Sequence, residues 1–137
     1  MQSILIIEDD PSYVSMMDLI LRMEGFDVFS TSDGLSGLAM LRVKHADLIL
    51  CDIMMPEMDG YSVLEALKSE KKLADIPFLF VSAIGDRAEI LRGMSAGADG
   101  YLPKPFSAVE LLAAVSARIQ RSGMIDPDQG KPFFIKE

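Results

Sequence analysis

Acidic side chains follow two apolar runs of the sequence, at the point where each run ends. Glu8 and Asp9 come directly after the run 3–7, and Asp52 comes directly after the run 48–51. If the two runs form neighbouring parallel strands, their carboxyl ends meet at one edge of the sheet and bring the three carboxylates together. Like charges so close together repel each other, and a divalent cation relieves the repulsion. An all-oxygen cluster on short side chains suits Mg²⁺, so the sequence predicts a magnesium site.

Asp52 is the candidate for covalent chemistry within this cluster. Pro56, Asp59 and Gly60 supply turn-forming residues shortly after it, so Asp52 opens a loop instead of continuing into the core. A carboxylate held beside Mg²⁺ can attack a phosphoryl group and form an aspartyl phosphate. Because phosphoryl transfer needs little beyond positioning and charge neutralisation, Asp52 is predicted to be a phosphoryl acceptor.

Distinct polar residues also follow two later apolar runs. Ser82 ends the run 78–82, and the run 100–103 leads into Lys104 and Pro105. With these residues in place, the sequence resembles the response-regulator receiver domain of two-component signalling, within the CheY-like superfamily. The resemblance covers residues 1 to about 121. It is carried by residues at successive strand ends, namely Glu8, Asp9, Asp52, Ser82, Tyr101, Lys104 and Pro105.

The resemblance implies a role for each member of the acidic cluster. Asp9 is expected to hold Mg²⁺ directly beside Asp52, and Glu8 is expected to hold it through a water molecule. The backbone carbonyl of Met54 is expected to supply a further oxygen ligand. Lys104 is expected to pair with a phosphoryl oxygen, because an ammonium group neutralises the charge of the transferred group.

Ser82 and Tyr101 are implied by the resemblance to form a switch. Ser82 is expected to hydrogen-bond a phosphoryl oxygen, and phosphorylation adds roughly −1.5 to −2 charges to attract it. Tyr101 can then turn into the space that Ser82 vacates. The surface around the fourth helix, fifth strand and fifth helix is expected to change as a result. The resemblance also implies a cis peptide bond between Lys104 and Pro105.

The lifetime of the phosphorylated state is a further expectation from the resemblance. Met54 and Ile84 stand two residues after the acceptor and two residues after the switch hydroxyl, where side chains flank the path of an attacking water. Both side chains are apolar and cannot hydrogen-bond that water. A long-lived aspartyl phosphate is therefore predicted.

The partners implied by the resemblance are other signalling proteins. The phosphoryl donor is a phosphohistidine on a sensor histidine kinase or on a histidine phosphotransfer protein. The output is expected to come from a downstream effector protein, from an output domain not present in this chain, or from a phosphorylation-dependent homodimer. Receivers that dimerise to bind DNA often carry an acid and an arginine where this chain has Gly100 and Ala114. These two differences weaken the assignment of this chain to that class of receiver.

Other interpretations stay open beside the receiver. A Mg²⁺-dependent phosphatase with an aspartate nucleophile shares the covalent chemistry, but its motif has a second acid two residues after the nucleophile, where this chain has Met54. A docking module that is never phosphorylated usually lacks the acids or the lysine, and this chain retains them. Each residue also has a purely structural interpretation when it is considered alone. The acids before Pro11 could serve merely to cap a helix, Lys104 could be a surface charge, and Ser82 could be a strand-end hydroxyl with a satisfied hydrogen bond.

The strands that must position these residues follow from the hydrophobic pattern. Uninterrupted apolar runs at 3–7, 48–51 and 78–82 are typical of parallel strands buried on both faces. Further strands at 26–30 and 99–102 complete a set of five. Alternation of strands with helices predicts an α/β fold, a single three-layer (βα)5 flavodoxin-like domain with parallel strand order 2-1-3-4-5. That order places the first and third strands side by side, where the acids need to meet.

Helical spacing of apolar residues predicts a helix after each strand. Pro11 to Glu24 is the first, the second ends near Lys44 and His45, and Tyr61 to Lys71 is the third. Asp86 with Glu89, and Ser107 with Glu110, are predicted capping boxes of the last two helices. In the last helix one apolar stripe is expected to face the core, formed by Val109, Leu112, Val115 and Ile119.

The receiver domain is assigned to residues 1–121, and residues 122–137 to a C-terminal tail or linker leading to an output domain not present. Within the tail, Pro132 to Ile135 is expected either to pack back or to begin contact with that missing domain.

Composition sets the remaining bounds. The chain has 137 residues, of which 50% are hydrophobic, and this fits one domain with an ordinary core. The single Cys51 excludes an internal disulfide and is expected to be a small buried hydrophobe, and His45 is expected to be solvated in a last helical turn. A net charge of −8 argues against nucleic-acid binding by this chain. No signal peptide or membrane span is visible, so a soluble cytoplasmic protein is expected.

Overall fold

Strands and helices alternate along the chain. The computed structural model describes residues 1–83, 86–123, 125–126 and 131–132, with side chains described as far as residue 119. The elements are β1 (Ser3–Ile7), α1 (Pro11–Met23), β2 (Asp27–Thr31), α2 (Gly34–Val43), β3 (Leu48–Cys51), α3 (Gly60–Lys68), β4 (Phe78–Ser82), α4 (Arg87–Ser95), β5 (Gly100–Pro103), α5 (Ala108–Gly123), β6 (Ile125–Asp126) and β7 (Lys131–Pro132). The antiparallel pair of β6 and β7 was not predicted. Of the segment 132–135, only Pro132 lies within the described residues.

The sheet has the predicted topology. Its five parallel strands follow the order β2-β1-β3-β4-β5, which confirms the flavodoxin-like arrangement. Ile7 at the end of β1 lies opposite Thr31 of β2 on one side and opposite Cys51 of β3 on the other. Because the winding direction reverses between β1 and β3, their carboxyl ends flank the crevice in which open α/β sheets bind ligands.

The three central strands are buried on both faces, as their uninterrupted apolar runs predicted. Successive side chains of a strand point to opposite faces, so each strand contributes to two separate cores. One core lies against α2 and α3 and includes Leu5, Ile7, Ile49, Cys51, Phe78, Phe80, Leu38, Val63 and Leu67. The other lies against α1 and α5 and includes Ile4, Ile6, Leu50, Leu79, Val81, Met17, Leu21, Leu111 and Val115.

Polar side chains define where the helices begin. Asp86 caps α4 by accepting a hydrogen bond from the Glu89 N–H at 2.9 Å. The box between Ser107 and Glu110 is reciprocal, because each N–H donates to the other side chain, at 2.8 and 3.1 Å. Only one of the two hydrogen bonds of the predicted capping box between Asp86 and Glu89 is formed. The Glu89 carboxylate accepts a hydrogen bond from the Tyr61 hydroxyl instead of from the backbone of Asp86. The other capping aspartates are Asp10, Asp33 and Asp59.

The prediction of the apolar stripe on the last helix is wrong for its first residue, Val109. Among the side chains of α5 that the structure describes, Leu111, Val115 and Ile119 are buried, whereas Val109 is 76% exposed. Each residue advances an α-helix by about 100°, so Val109 lies about 200° from Leu111 and faces solvent. Leu112 packs partly against the same core as predicted.

Two predicted helix ends also move. The second helix ends at Val43, so His45 lies after it and pairs on the surface with Asp47, whose Oδ1 is 2.8 Å from the ring Nε2. The third helix ends at Lys68 rather than at Lys71. Within the part of the chain that the structure describes, no helix is both long and apolar enough to cross a bilayer.

Candidate functional site

The register of the sheet brings the acidic strand ends together. Glu8 and Asp52 each follow the last residue of a strand, and those strands, β1 and β3, are neighbours. The Asp52 N–H donates to the Ile7 carbonyl at 2.9 Å, and the Glu8 N–H donates to the Thr31 carbonyl at 3.1 Å. Both carboxylates therefore extend from backbone that the sheet holds in place.

Glu8, Asp9 and Asp52 form the acidic cluster of this edge. Each offers one carboxylate oxygen, and the three oxygens lie within 4.8 Å of one another. Glu8 and Asp52 are 1% and 6% exposed, whereas Asp9 is open to solvent. Among the described residues, Glu8 Oε1 has an ion-pair partner but no hydrogen-bond partner of good geometry. This oxygen set fits Mg²⁺, which takes few carboxylates and keeps several waters.

Lys104 is the cation that faces the acidic cluster. Its Nζ lies 2.8 Å from Glu8 Oε1 and 3.7 Å from Asp52 Oδ2, and its side chain is only 9% exposed. The Lys104 N–H donates to the Ser82 carbonyl at 2.9 Å, and the peptide bond to Pro105 is cis. Among the described residues, Lys104 is the one cation paired with the cluster of three carboxylates, so this edge keeps a net negative charge.

Burial raises the pKa values of the two inner carboxyls. The pKa of Glu8 rises from 4.5 to about 7, chiefly because burial disfavours its charged form and further because of the nearby charge of Asp52. Lys104 opposes this rise. The pKa of Asp52 is also raised by burial, against the lowering effects of Lys104 and of the Ile53 N–H. Lys104 therefore only partly offsets the effect of burial, and carboxyls perturbed in this way are typical of functional sites.

Without divalent metal, the protein is expected to lose stability as the pH rises from about 5 to about 7.5. Folded Glu8 keeps its proton up to a pKa of about 7, whereas the unfolded chain loses it near 4.5. Between these values the folded state binds more protons, so the free energy of unfolding falls as the pH rises. The expected fall is about 2 kcal/mol, measured by urea unfolding in the presence of a chelator.

Glu8→Gln is the control for this pH dependence, because it keeps the size of the side chain and removes the titrating group. The fall in unfolding free energy should shrink by most of its wild-type value. Equal slopes for the two proteins would show that another group is responsible.

Ser82 and Tyr101 lie on β4 and β5, the two strands on the other side of β3 from β1. Ser82 ends β4 and is completely buried, and Tyr101 of the neighbouring β5 is partly buried. The two hydroxyls hydrogen-bond with each other, and burial raises the pKa of Tyr101. The Tyr101 ring is already turned inward, with its centroid 6.1 Å from that of Phe80.

Two tyrosines that the sequence analysis did not single out also belong to this end of the molecule. Lys104 Nζ lies 4.2 Å from the centroid of the Tyr13 ring. The Tyr61 hydroxyl donates to Glu89 Oε1 at 2.7 Å and so links α3 to α4. Both tyrosines lie in the first turn of a helix that begins at the carboxyl edge of the sheet. That placement is the signal by which the sequence could have identified them.

The loop after Asp52 leads directly into α3. The Gly60 N–H donates to the Ile53 carbonyl at 2.8 Å, so the start of the helix closes onto the end of the strand. Met54 lies within this loop, and its side chain is 63% exposed. Ile84, the second residue predicted to flank the path of water, lies outside the described residues.

Comparisons with known proteins agree on one family. The family profile of the response regulator receiver domain matches residues 4–116. The DNA-binding dual master transcriptional regulator RpaA of Synechocystis is 40% identical over 125 residues, which are 91% of this chain and 52% of RpaA. The chemotaxis protein CheY4 of Vibrio cholerae has a TM-score of 0.82 at 27% identity, covering 86% of this chain and 98% of that one.

A further solved structure bears on the acidic cluster. The receiver domain of the sensor histidine kinase PA1611 of Pseudomonas aeruginosa has a magnesium ion coordinated in its active-site cleft. Its TM-score is 0.80 at 28% identity, over 86% of this chain and 97% of that one. The chain spans about half the length of the curated relatives it matches, such as the 52% of RpaA. The similarity to them therefore covers one domain.

Proposed function

Because this chain belongs to the response regulator receiver domain family, we propose that it accepts a phosphoryl group from a phosphohistidine onto Asp52. The observation that carries the proposal is that Asp52 lies beside both Lys104 and the carboxylates of Glu8 and Asp9. A nucleophile, a cation and a set of metal ligands are the parts that phosphoryl transfer requires. The proposed role of the chain is a signalling receiver that assists its own phosphorylation and dephosphorylation.

The acidic cluster is the proposed Mg²⁺ site. Asp9 and Asp52 would hold the ion directly, Glu8 through a water molecule, and Met54 through its backbone carbonyl. When bound, the ion supplies charge neutralisation at the phosphoryl oxygens. Two observations support this assignment, namely the exposure of Asp9, which leaves room for water ligands, and the magnesium ion in the similar PA1611 domain.

The two carboxylate oxygens of Asp52 have different surroundings. Oδ1 accepts a hydrogen bond from the Ile53 N–H at 2.8 Å, whereas Oδ2 lies 3.7 Å from Lys104 Nζ. Oδ2 is therefore the proposed attacking oxygen. It forms a bond to phosphorus as the bond from phosphorus to the imidazole nitrogen of the donor breaks, and the electron pair stays on that nitrogen. Lys104 then pairs with a phosphoryl oxygen instead of Glu8.

Ser82 and Tyr101 are the proposed route from the acceptor to the surface. A phosphoryl oxygen is a stronger acceptor than a phenol, so it draws the Ser82 hydroxyl away from Tyr101. The Tyr101 ring lies against α4, where a Cβ added to Gly93 would come within 3.6 Å of it. A change at Tyr101 therefore reaches the surface of α4, β5 and α5.

The proposed partners are those of a two-component pathway. A sensor histidine kinase or a histidine phosphotransfer protein would supply the phosphoryl group in the cytoplasm. An effector protein, an output domain outside this chain or a phosphorylation-dependent homodimer would use it. RpaA is DNA-binding, but the net charge of −8 assigns DNA contact to other segments. A side chain at Gly100 would overlap the Arg118 guanidinium, so an acid at this position would require Arg118 to move.

Incubation with a small phosphodonor and Mg²⁺, followed by intact-protein mass measurement, tests the proposal. A receiver gains one phosphoryl group as a stable adduct. A Mg²⁺-dependent phosphatase hydrolyses the donor continuously, and a docking module does neither. Only the first outcome supports the proposed function.

Replacing Met54 by Asn is expected to speed the loss of the phosphoryl group about tenfold, which corresponds to about 1.4 kcal/mol in the barrier. The exposed Met54 side chain excludes the attacking water and cannot orient it, whereas an Asn amide can hydrogen-bond it. The decay of phosphorylated protein in Mg²⁺ after removal of the donor measures this. Met54→Leu is the control and should decay at the wild-type rate. Equal rates for the Asn variant and wild type would rule out the water-exclusion argument.

A further inference from the structure

The Lys104 ammonium group has an aromatic neighbour besides its carboxylates. On one side are Glu8 Oε1 at 2.8 Å and Asp52 Oδ2 at 3.7 Å. On another side is the face of the Tyr13 ring, with the centroid 4.2 Å from Nζ. A cation over an aromatic face at this distance is attracted by the ring, and more strongly when water is excluded. The Lys104 side chain is only 9% exposed, so this contact is in its stronger range.

The Tyr13 ring is itself held in place. Its centroid lies 5.7 Å from that of Phe106, at an angle of 49° between the ring planes. Phe106 comes two residues after Lys104, so the loop that carries the lysine contacts Tyr13 through both side chains. Tyr13 lies in the first turn of α1, directly after the strand end that carries the acidic cluster. One ring therefore joins the lysine loop to the acidic strand end.

We propose that Tyr13 is a positioning residue, which holds the Lys104 ammonium group at the acceptor through its ring face. The inference rests on the proposed function, because it assigns a residue that prepares Lys104 for the phosphoryl group. Glu8 competes with the incoming phosphoryl group for the ammonium charge. The neutral ring does not compete in this way, and its attraction has no fixed hydrogen-bond direction. Lys104 can thus move from Glu8 to a phosphoryl oxygen while it stays over the ring.

The proposed positioning role uses the ring of Tyr13 and not its hydroxyl. Variants that keep or remove the ring therefore distinguish this role from one that depends on the hydroxyl. Tyr13→Phe keeps the ring face and the contact with Phe106, and it should take up phosphoryl at the wild-type rate. Tyr13→Leu keeps an apolar side chain but removes the ring. We expect it to lower the rate constant of uptake about three- to tenfold. A residue that only fills space would affect melting temperature without this difference between Phe and Leu.

The experiment measures uptake from a small phosphodonor in Mg²⁺ for wild type, Tyr13→Phe, Tyr13→Leu and the control Phe26→Leu. The control removes an aromatic ring at the opposite end of α1 and should leave the rate unchanged. The ¹H chemical shifts of the Lys104 ε-methylene group are recorded for the same proteins. The ring should shift these signals upfield in wild type and in the Phe variant, and the shift should disappear in the Leu variant.

Each outcome decides something different. Normal uptake by Tyr13→Leu, or equally slow uptake by the Phe and Leu variants, overturns the positioning role and leaves the proposed function intact. No uptake by wild type overturns the proposed function, and the role of Tyr13 in it as well. An unchanged Lys104 shift in the Leu variant shows that the ring does not lie against the ammonium group, which also overturns the inference. Mg²⁺-dependent changes in melting temperature, if retained by every variant, show that the acidic cluster is intact.

Discussion

Asp52→Asn is expected to lower phosphoryl uptake roughly a thousandfold or more, because it removes the nucleophile of the proposed reaction. The amide has nearly the same size as the carboxylate, and its oxygen can still accept the hydrogen bond that Asp52 Oδ1 accepts from the Ile53 N–H at 2.8 Å. Loss of uptake would thus reflect loss of the carboxylate, which is both the proposed nucleophile and a proposed Mg²⁺ ligand, and not a displaced loop. Intact-protein mass after incubation with a small phosphodonor and Mg²⁺ measures the effect.

Asp59→Asn is the matched control for this prediction. Asp59 lies in the loop after Asp52 and caps α3 by accepting from the Ser62 N–H at 2.9 Å, a bond that an Asn side chain can also accept. The control protein should therefore fold normally and take up one phosphoryl group. Peptide mapping that places the phosphoryl group on Asp9 or Asp59 of the wild type would contradict the assignment of Asp52.

The topology could be predicted from the sequence because each strand signals its own environment. The runs 4–7, 48–51 and 78–81 are apolar without interruption, which is the pattern expected of a strand covered on both faces. Once β1 and β3 are neighbours, parallel pairing alone carries Glu8 and Asp52 to the same edge. The proximity of the acids is thus a consequence of strand order and needs no knowledge of side-chain packing.

Contacts between helices that are distant in the sequence could not be predicted, because the spacing of residues within one helix carries no information about them. Glu89 was predicted to close a capping box with Asp86, three residues away, but its carboxylate binds Tyr61, which is 28 residues away. The two partners compete for one carboxylate, and the choice depends on how α3 and α4 pack. Val109 was misplaced for a related reason. The spacing of apolar residues predicted an apolar stripe on α5. Which members of the stripe are buried depends on how α5 packs against the sheet, and Val109 lies outside the buried part.

Gly60→Ala is expected to lower the free energy of unfolding by about 3 kcal/mol, because the start of α3 lies against the end of β3. A Cβ on Gly60 would overlap the Asp52 carbonyl oxygen, and it would lie 2.9 Å from Ile53 Cα. Both are backbone atoms, and Asp52 is tied to the sheet through its bond to the Ile7 carbonyl at 2.9 Å. Relief of the overlap must therefore move either the helix or the acceptor loop. Urea unfolding of the variant and wild type in Mg²⁺ measures the change.

Gly25→Ala separates this overlap from the general effect of replacing a glycine. Gly25 has a φ of +92° and open space around its Cβ position, so its replacement costs only backbone strain, about 1 kcal/mol. A Gly60 variant no less stable than the Gly25 variant would contradict the close approach of α3. The rate of phosphoryl uptake then shows whether the acceptor loop or α3 has moved. If the acceptor loop moves, Asp52 leaves its place beside Lys104 and folded Gly60→Ala takes up phosphoryl more slowly, whereas a shift of α3 alone lowers stability and leaves the rate near that of wild type.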